Sequence, residues 1–176
     1  EFDIAQQATD YGLQIGKNVI FSSPNLPPEH MPLVYQTMDV FMHLGTMEGF
    51  GIPIIEAMAC GLPSVGVESC TMPELFGNSA LIAETPKYCK GRKATVGSYN
   101  GVEAEIPDPW DIAKKMMILY KNESLRKELG MNAVERAMKV FSWDVIKPQW
   151  VALFKSCVIT EDQIPEEWER LLKDVT

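Results

Sequence analysis

Glu48-Gly49-Phe50-Gly51-Ile52-Pro53-Ile54-Ile55-Glu56-Ala57-Met58-Ala59-Cys60-Gly61-Leu62-Pro63-Ser64-Val65 is the stretch whose reading decides the fold of this 176-residue chain. Gly49-Phe50-Gly51 turns the backbone, and Pro53 sits near the first position of a helix, where a missing N–H breaks no intrahelical bond. The helix is expected to run to about Cys60, where Gly61-Leu62-Pro63 stops it. Ser64-Val65-Gly66-Val67 then reads as a strand.

The same rhythm continues on both sides. Upstream, Asp39 to Leu44 reads as a strand. Before it, Pro27-Pro28-Glu29 opens a helix with Met31, Val34, Tyr35 and Met38 at helical spacing. Further back, Asn18 to Ser23 reads as a short buried strand, and Ile4, Ala5 and Ala8 share a helical face that Gly12 ends. Downstream, a short helix at Pro73 to Phe76 leads to the strand Ala80 to Ala83. Strands and helices that alternate on short connections predict an α/β fold, a Rossmann-like parallel sheet flanked by helices.

Residues 84–106 interrupt the alternation. Asn100-Gly101, between Val96-x-x-Tyr99 and Val102-x-Ala104-x-Ile106, predicts a β-hairpin insertion with a tight turn. Asp108-Pro109 then caps a helix whose buried stripe is expected at Ala113, Met116, Met117 and Tyr120. A second helix covers Glu123 to Val140, and a third starts near Ser142 and passes Pro148, where a kink is expected. The chain divides into a domain at 1–156 and a helical extension at 157–176 that carries Trp168, Leu171 and Leu172.

Composition narrows the function classes. The net charge is −8, from 24 acidic against 16 basic residues, and no long basic stripe is present, which argues against a nucleic-acid partner. No apolar run approaches the ~20 residues a membrane span needs, so the expected location is cytoplasmic, with peripheral membrane contact left open. Cys60, Cys70, Cys89 and Cys157 lack the spacing of a metal site and read as reduced thiols. Lys87, Lys90, Arg92 and Lys93 cluster in the insertion and read first as a solvated loop, with contact to an anionic acceptor as the sharper alternative.

The chemistry lies in the opening stretch. A turn from strand to helix at the C-terminal edge of a parallel sheet is where open α/β sheets bind ligands. The helix start offers backbone N–H groups, and Gly49 and Gly51 let an anion approach them closely. Glu48 before the turn and Glu56 within the helix place two acceptor carboxylates beside that cradle. A phosphate flanked by hydroxyl-bearing groups on both sides suits the arrangement, as in a nucleotide sugar.

Glu48-Gly49-Phe50-Gly51-x-Pro53-x-x-Glu56-Ala57-Met58-Ala59-x-Gly61-x-Pro63 resembles the Glu-x7-Glu signature of retaining glycosyltransferase family 4. Leu33-x-Tyr35-x-x-x-Asp39-Val40, Pro73-Glu74-Leu75 and Phe141-Ser142-Trp143 extend the likeness over most of residues 1–156. The resemblance implies the C-terminal, donor-binding half of a GT-B fold, with the first strands of that domain not in this stretch. It implies Glu48 as the catalytic carboxylate at the donor sugar's hydroxyls and Glu56 at the ribose hydroxyls. Gly49, Phe50, Gly51 and Ile52 complete the donor-binding set, with the backbone amides of Phe50 and Gly51 facing the sugar and diphosphate. It further implies a nucleoside-diphosphate sugar as substrate, no cofactor and no essential metal. The acceptor is unspecified, and an N-terminal domain or companion polypeptide would supply the other wall of the cleft.

Two departures touch the donor region. Leu44-Gly45 stands where family members usually carry Pro-Ser, and Cys70-Thr71 where Gly-Gly is common. His43, ending a strand near the cleft, is a candidate donor contact, set against the plainer reading of a packed strand-end histidine. The competing function is a non-catalytic sugar-nucleotide-binding or partner-regulating module. The presence of both Glu48 and Glu56 argues against it.

Overall fold

In the computed structural model, residues 3–21, 26–46, 48–84, 93–95, 103–105 and 107–157 are described. Helix α1 (Ile4–Asp10) is followed by a 3-10 turn (Pro28–His30) and α2 (Met31–Tyr35). Strand β1 (Phe41–Met42), α3 (Ile52–Ala59), β2 (Ser64–Val67), α4 (Met72–Phe76) and β3 (Ala80–Ala83) form the central unit. Its sheet has the order β1-β2-β3 with both pairings parallel, registered as Phe41 to Ser64 and Ser64 to Ala80. The expected α/β arrangement is present, with each strand joined to the next through a helix.

β4 (Lys93–Thr95) and β5 (Glu103–Glu105) pair antiparallel as a separate two-stranded sheet, in the register Ala94 to Ala104. The insertion thus has its two strands, the first earlier than the Val96 to Tyr99 arm expected. The Asn100-Gly101 turn, most of the basic cluster and the segment 158–176 lie outside the described residues. The chain then runs through α5 (Pro109–Lys121), α6 (Glu123–Arg136), a π-helical turn (Ala137–Phe141) and α7 (Trp143–Ser156), which continues through Pro148.

The core explains the order. Ile54 and Met58 of α3, Val67, Ala83, Met72, Leu75 and Phe76 of α4, and Ala133 and Ala137 form one buried cluster. Val65, Leu119 and Leu129 form another, against Val40, Leu81 and Leu125. Gly66 is small because the Phe76 ring lies on it: an added Cβ would stand 2.6 Å from the ring edge. Gly130 likewise lets α6 approach the end of α3, where a Cβ would meet the Gly61 carbonyl oxygen at 2.4 Å.

Two expectations from the sequence are corrected. Asn18 to Ser23 is no buried strand over its described residues: Ile20 is 79% exposed, and only an isolated bridge joins Ile15 and Val19. No described strand runs beside it, so its backbone bonds close locally, with Gln14 accepting from Lys17, Asn18 and Val19. In α5 the buried face is not Ala113, Met116, Met117 and Tyr120. Met117 and Tyr120 are exposed, while Leu119 is buried in the core and Ile112 packs against it from partial burial. The helix is turned by one residue, about 100°, because Asp111 must face inward. Its carboxylate accepts the Glu84 N–H at 2.9 Å and the Lys115 ammonium, tying the end of β3 to the start of α5.

Those bonds, first Lys115 and then the Glu84 amide, hold the Asp111 carboxyl below the ordinary carboxylate range. A depressed folded value makes the contribution present above the unfolded value of about 3.9, and lost as the pH falls through the folded one. Asp111→Asn should lower the thermal midpoint by about 2–4 °C at pH 7, and the gap should close as the pH falls through the folded carboxyl's range. A gap unchanged across that range would rule out the carboxylate as its source.

Candidate functional site

The site is built where β1 and β2 end. After β1 the chain passes through His43 to Gly51 and enters α3. After β2 it passes through Glu68 to Thr71 and enters α4. The loops are strapped together: the Ser69 hydroxyl donates to the Thr46 carbonyl at 2.8 Å, and the Cys70 thiol lies 3.2 Å from the same oxygen. Cys70 holds a left-handed backbone (φ 49°) to do so. That conformation favours glycine, in keeping with the glycine common at this position in the family it resembles.

Gly51 sets the geometry of the first loop. It is buried and left-handed (φ 85°, ψ 55°), and caps α3, whose Pro53 lies in the first turn. A Cβ there would stand 2.8 Å from Ile54 Cδ1, 3.2 Å from Leu75 Cδ1 and 3.3 Å from Glu48 Cγ. Only glycine fits both the backbone and the space. The Glu48 stem therefore lies against the start of α3, on the α4 side. No acidic residue occupies the first turn of α3 itself, where the partial positive end of the helix lies.

Glu48 points back to His43. Glu48 Oε2 lies 3.4 Å from His43 Nε2, with the two side chains 33% and 19% exposed. The contact does not reach hydrogen-bond geometry, and the buried Nε2 has no hydrogen-bond partner among the described residues. Gly45 covers the same nitrogen, where an added Cβ would come within 3.2 Å. His43 also stacks on Phe41, its ring centroid 6.2 Å away. His43 is thus a packed histidine at the end of the strand, and it borders the candidate carboxylate.

Glu56 lies on the exposed side of α3, and its Oε2 accepts the Tyr35 hydroxyl at 2.8 Å. Burial first, then this bond, push the Tyr35 phenol far above the tyrosine range, so it stays a donor. Burial and the Glu56 charge also push up the Cys60 thiol, one turn further on, which suits an unreactive cysteine. Phe50 is half-exposed and meets Phe141 edge-on, ring centroids 6.4 Å apart; Gly49 and Ile52 are exposed.

Arg136 supports the arrangement from behind. Its guanidinium donates to the Leu75 and Glu74 carbonyls at the end of α4 and lies over the Phe141 ring. The sequence marked Pro73-Glu74-Leu75 and Phe141 as part of the likeness but not Arg136, which joins them. Tyr35 was noted only for helical spacing and within the motif; its bond to Glu56 spans 21 positions and has no local signal.

Residues 5–136 match the family described as "Glycosyl transferases group 1". The chain belongs to this family. It is 39% identical over 130 residues to the O-antigen chain mannosyltransferase B of Escherichia coli, covering 74% of this chain and 28% of that protein. Among solved structures it is similar to the sucrose-phosphate synthase of Thermosynechococcus elongatus (TM-score 0.68, 22% identity, 87% of this chain and 33% of that one). It is similar also to Anabaena Alr3699/HepE in complex with UDP-glucose (TM-score 0.66, 22% identity, 87% and 36%). This group 1 chain therefore has the fold of the C-terminal half of a GT-B glycosyltransferase, and it spans about a third of the relatives it matches. Among its described residues no helix is long and apolar enough to cross a membrane.

Proposed function

We propose that this group 1 chain is the donor-binding domain of a retaining glycosyltransferase that takes its sugar from a nucleoside-diphosphate sugar. The observation that carries the reading is the left-handed Gly51, which seats the start of α3 beside the Glu48 stem. In the reaction the bond between the anomeric carbon and the diphosphate breaks, and the acceptor oxygen takes the carbon. The acceptor's proton leaves with the phosphate. Charge grows on the leaving group, and the backbone amides of Phe50, Gly51 and Ile52 at the helix start stabilise it. Glu48 accepts from the sugar hydroxyls, Glu56 accepts from the ribose hydroxyls, and His43 borders the sugar pocket.

Pre-placed amides and dipoles do the electrostatic work in this scheme, so no cofactor and no essential metal are proposed. The other wall of the cleft, with the acceptor site, belongs to another domain or companion polypeptide. This chain alone is proposed not to turn over. The likeness to a fold solved with UDP-glucose supports a sugar-nucleotide ligand of this chemical class.

The test is a thermal-shift and calorimetric panel of UDP, GDP, ADP and their sugars on the full-length protein, with product stereochemistry read by NMR. One nucleoside diphosphate is expected to raise the midpoint, its sugar to be consumed, and the product to keep the donor's anomeric configuration. Failure of every nucleotide to bind would overturn the donor-site reading. An inverted product would overturn the retaining mechanism alone.

A further inference from the structure

We infer that Tyr35 is a positioning residue: its buried ring aims one hydroxyl at Glu56 and fixes the carboxylate that faces the nucleotide. This rests on the reading of Glu56 as the acceptor for the ribose hydroxyls. Tyr35 is 4% exposed and packs with Ala57 and Leu62, so its ring cannot swing. It lies edge-on to Phe41 with centroids 6.0 Å apart. Glu56, by contrast, sits on the open side of α3, where a glutamate with three free torsions would sample many orientations. The Tyr35 hydroxyl is its one side-chain hydrogen-bond partner among the described residues.

That bond engages Oε2 and leaves Oε1 able to accept from a ligand. Because the phenol stays protonated, it keeps donating to Oε2. A carboxylate held in its binding orientation loses less freedom when the ligand arrives.

The arrangement reaches further than one residue. Phe41, which meets the Tyr35 ring on one side, stacks on His43 on the other, and His43 approaches Glu48. Three packed rings thus run from the Glu56 carboxylate to the Glu48 carboxylate. The two proposed contacts, with ribose and with sugar, are referred to one rigid row at the start of β1.

Tyr35→Phe removes only the hydroxyl and keeps the ring in its cluster. The experiment measures, by calorimetry on the full-length protein, binding of UDP or GDP (whichever wild type binds more tightly) and of its 2′-deoxy form. The variants are Tyr35→Phe, Glu56→Ala and the double mutant. Glu56→Ala is expected to weaken the nucleotide about 10- to 100-fold and to abolish the preference over the 2′-deoxy form. Tyr35→Phe is expected to weaken it about 3- to 10-fold and to reduce that preference. The double mutant is expected to match Glu56→Ala. In transfer assays Tyr35→Phe should raise KM for the sugar nucleotide and leave kcat within about twofold.

Wild-type binding by Tyr35→Phe, with Glu56→Ala still weakened, would overturn the positioning role and leave the Glu56 reading standing. Additive losses in the double mutant would also overturn it, since Tyr35 would then act by another route. Wild-type binding by Glu56→Ala would remove the ribose reading and this inference with it.

Discussion

Glu48→Ala in the full-length protein is expected to slow sugar transfer about 100-fold or more while leaving affinity for the nucleoside diphosphate within about twofold. The reason is where the carboxylate sits. Its stem lies against Gly51 at the start of α3, and its head lies beside His43, which in the proposed scheme borders the sugar. A group that touches only the sugar contributes nothing to holding the nucleotide. As the anomeric bond lengthens, the ring gains positive charge and its hydroxyls become stronger donors, so a fixed carboxylate is worth more then than in the ground state. Steady-state kinetics should therefore show the loss in kcat, and calorimetry with the nucleoside diphosphate should show little. Equal losses in nucleotide affinity and turnover would place Glu48 at the nucleotide instead. Unchanged turnover would remove it from the site.

Phe76→Ala should cost about 3–5 kcal/mol of folding stability, measured by denaturant unfolding. Phe76 is wholly buried between α4 and β2, with its ring over Gly66 and its neighbours in the largest buried cluster. Truncation leaves a void that β2 cannot close, because its backbone is already paired on both sides by β1 and β3. The same contact yields a coupled test. Gly66→Ala forces a methyl into the ring edge and should cost about 1–3 kcal/mol in the wild-type background. It should cost less in Phe76→Leu, where the offending ring is gone. Additive losses would mean that the ring is not what keeps position 66 bare.

The elements legible in the sequence were those whose cause is local. Gly51, Pro53 and Gly61 bound α3 by backbone chemistry alone, and Asp108 caps the helix that follows it. What failed was decided by neighbours distant along the chain. Asn18 to Ser23 has the composition of a strand, but a strand needs a partner. The phase of α5 was misjudged because its apolar residues nearly encircle it, and the inward turn of Asp111 toward Glu84 settled the matter. At the site, the Glu-x7-Glu spacing and the glycines could be read directly. The strap from Ser69 and Cys70 to Thr46, and the Tyr35 bond to Glu56, join residues about 20 positions apart and leave no periodic trace.

The π-helical turn at Ala137–Phe141 carries a further consequence, for chain length rather than residue type. A π turn holds one residue more than the α turn it replaces. Here the extra residue sets the phase that brings Phe141 against Phe50 while Arg136 stays at the end of α4. Lys139 and Val140 are exposed, so their identities are loosely constrained. Their number is constrained on one side. Closing the turn to an ordinary α-helix with all its residues kept would rotate everything beyond it by about 100°, withdrawing Phe141 from Phe50, whereas losing one residue at the same time would offset that rotation. In this stretch a one-residue deletion is the tolerated change of length, and an insertion is the damaging one. The loop that carries Phe50 is thereby tied to a count of residues some 90 positions away from it.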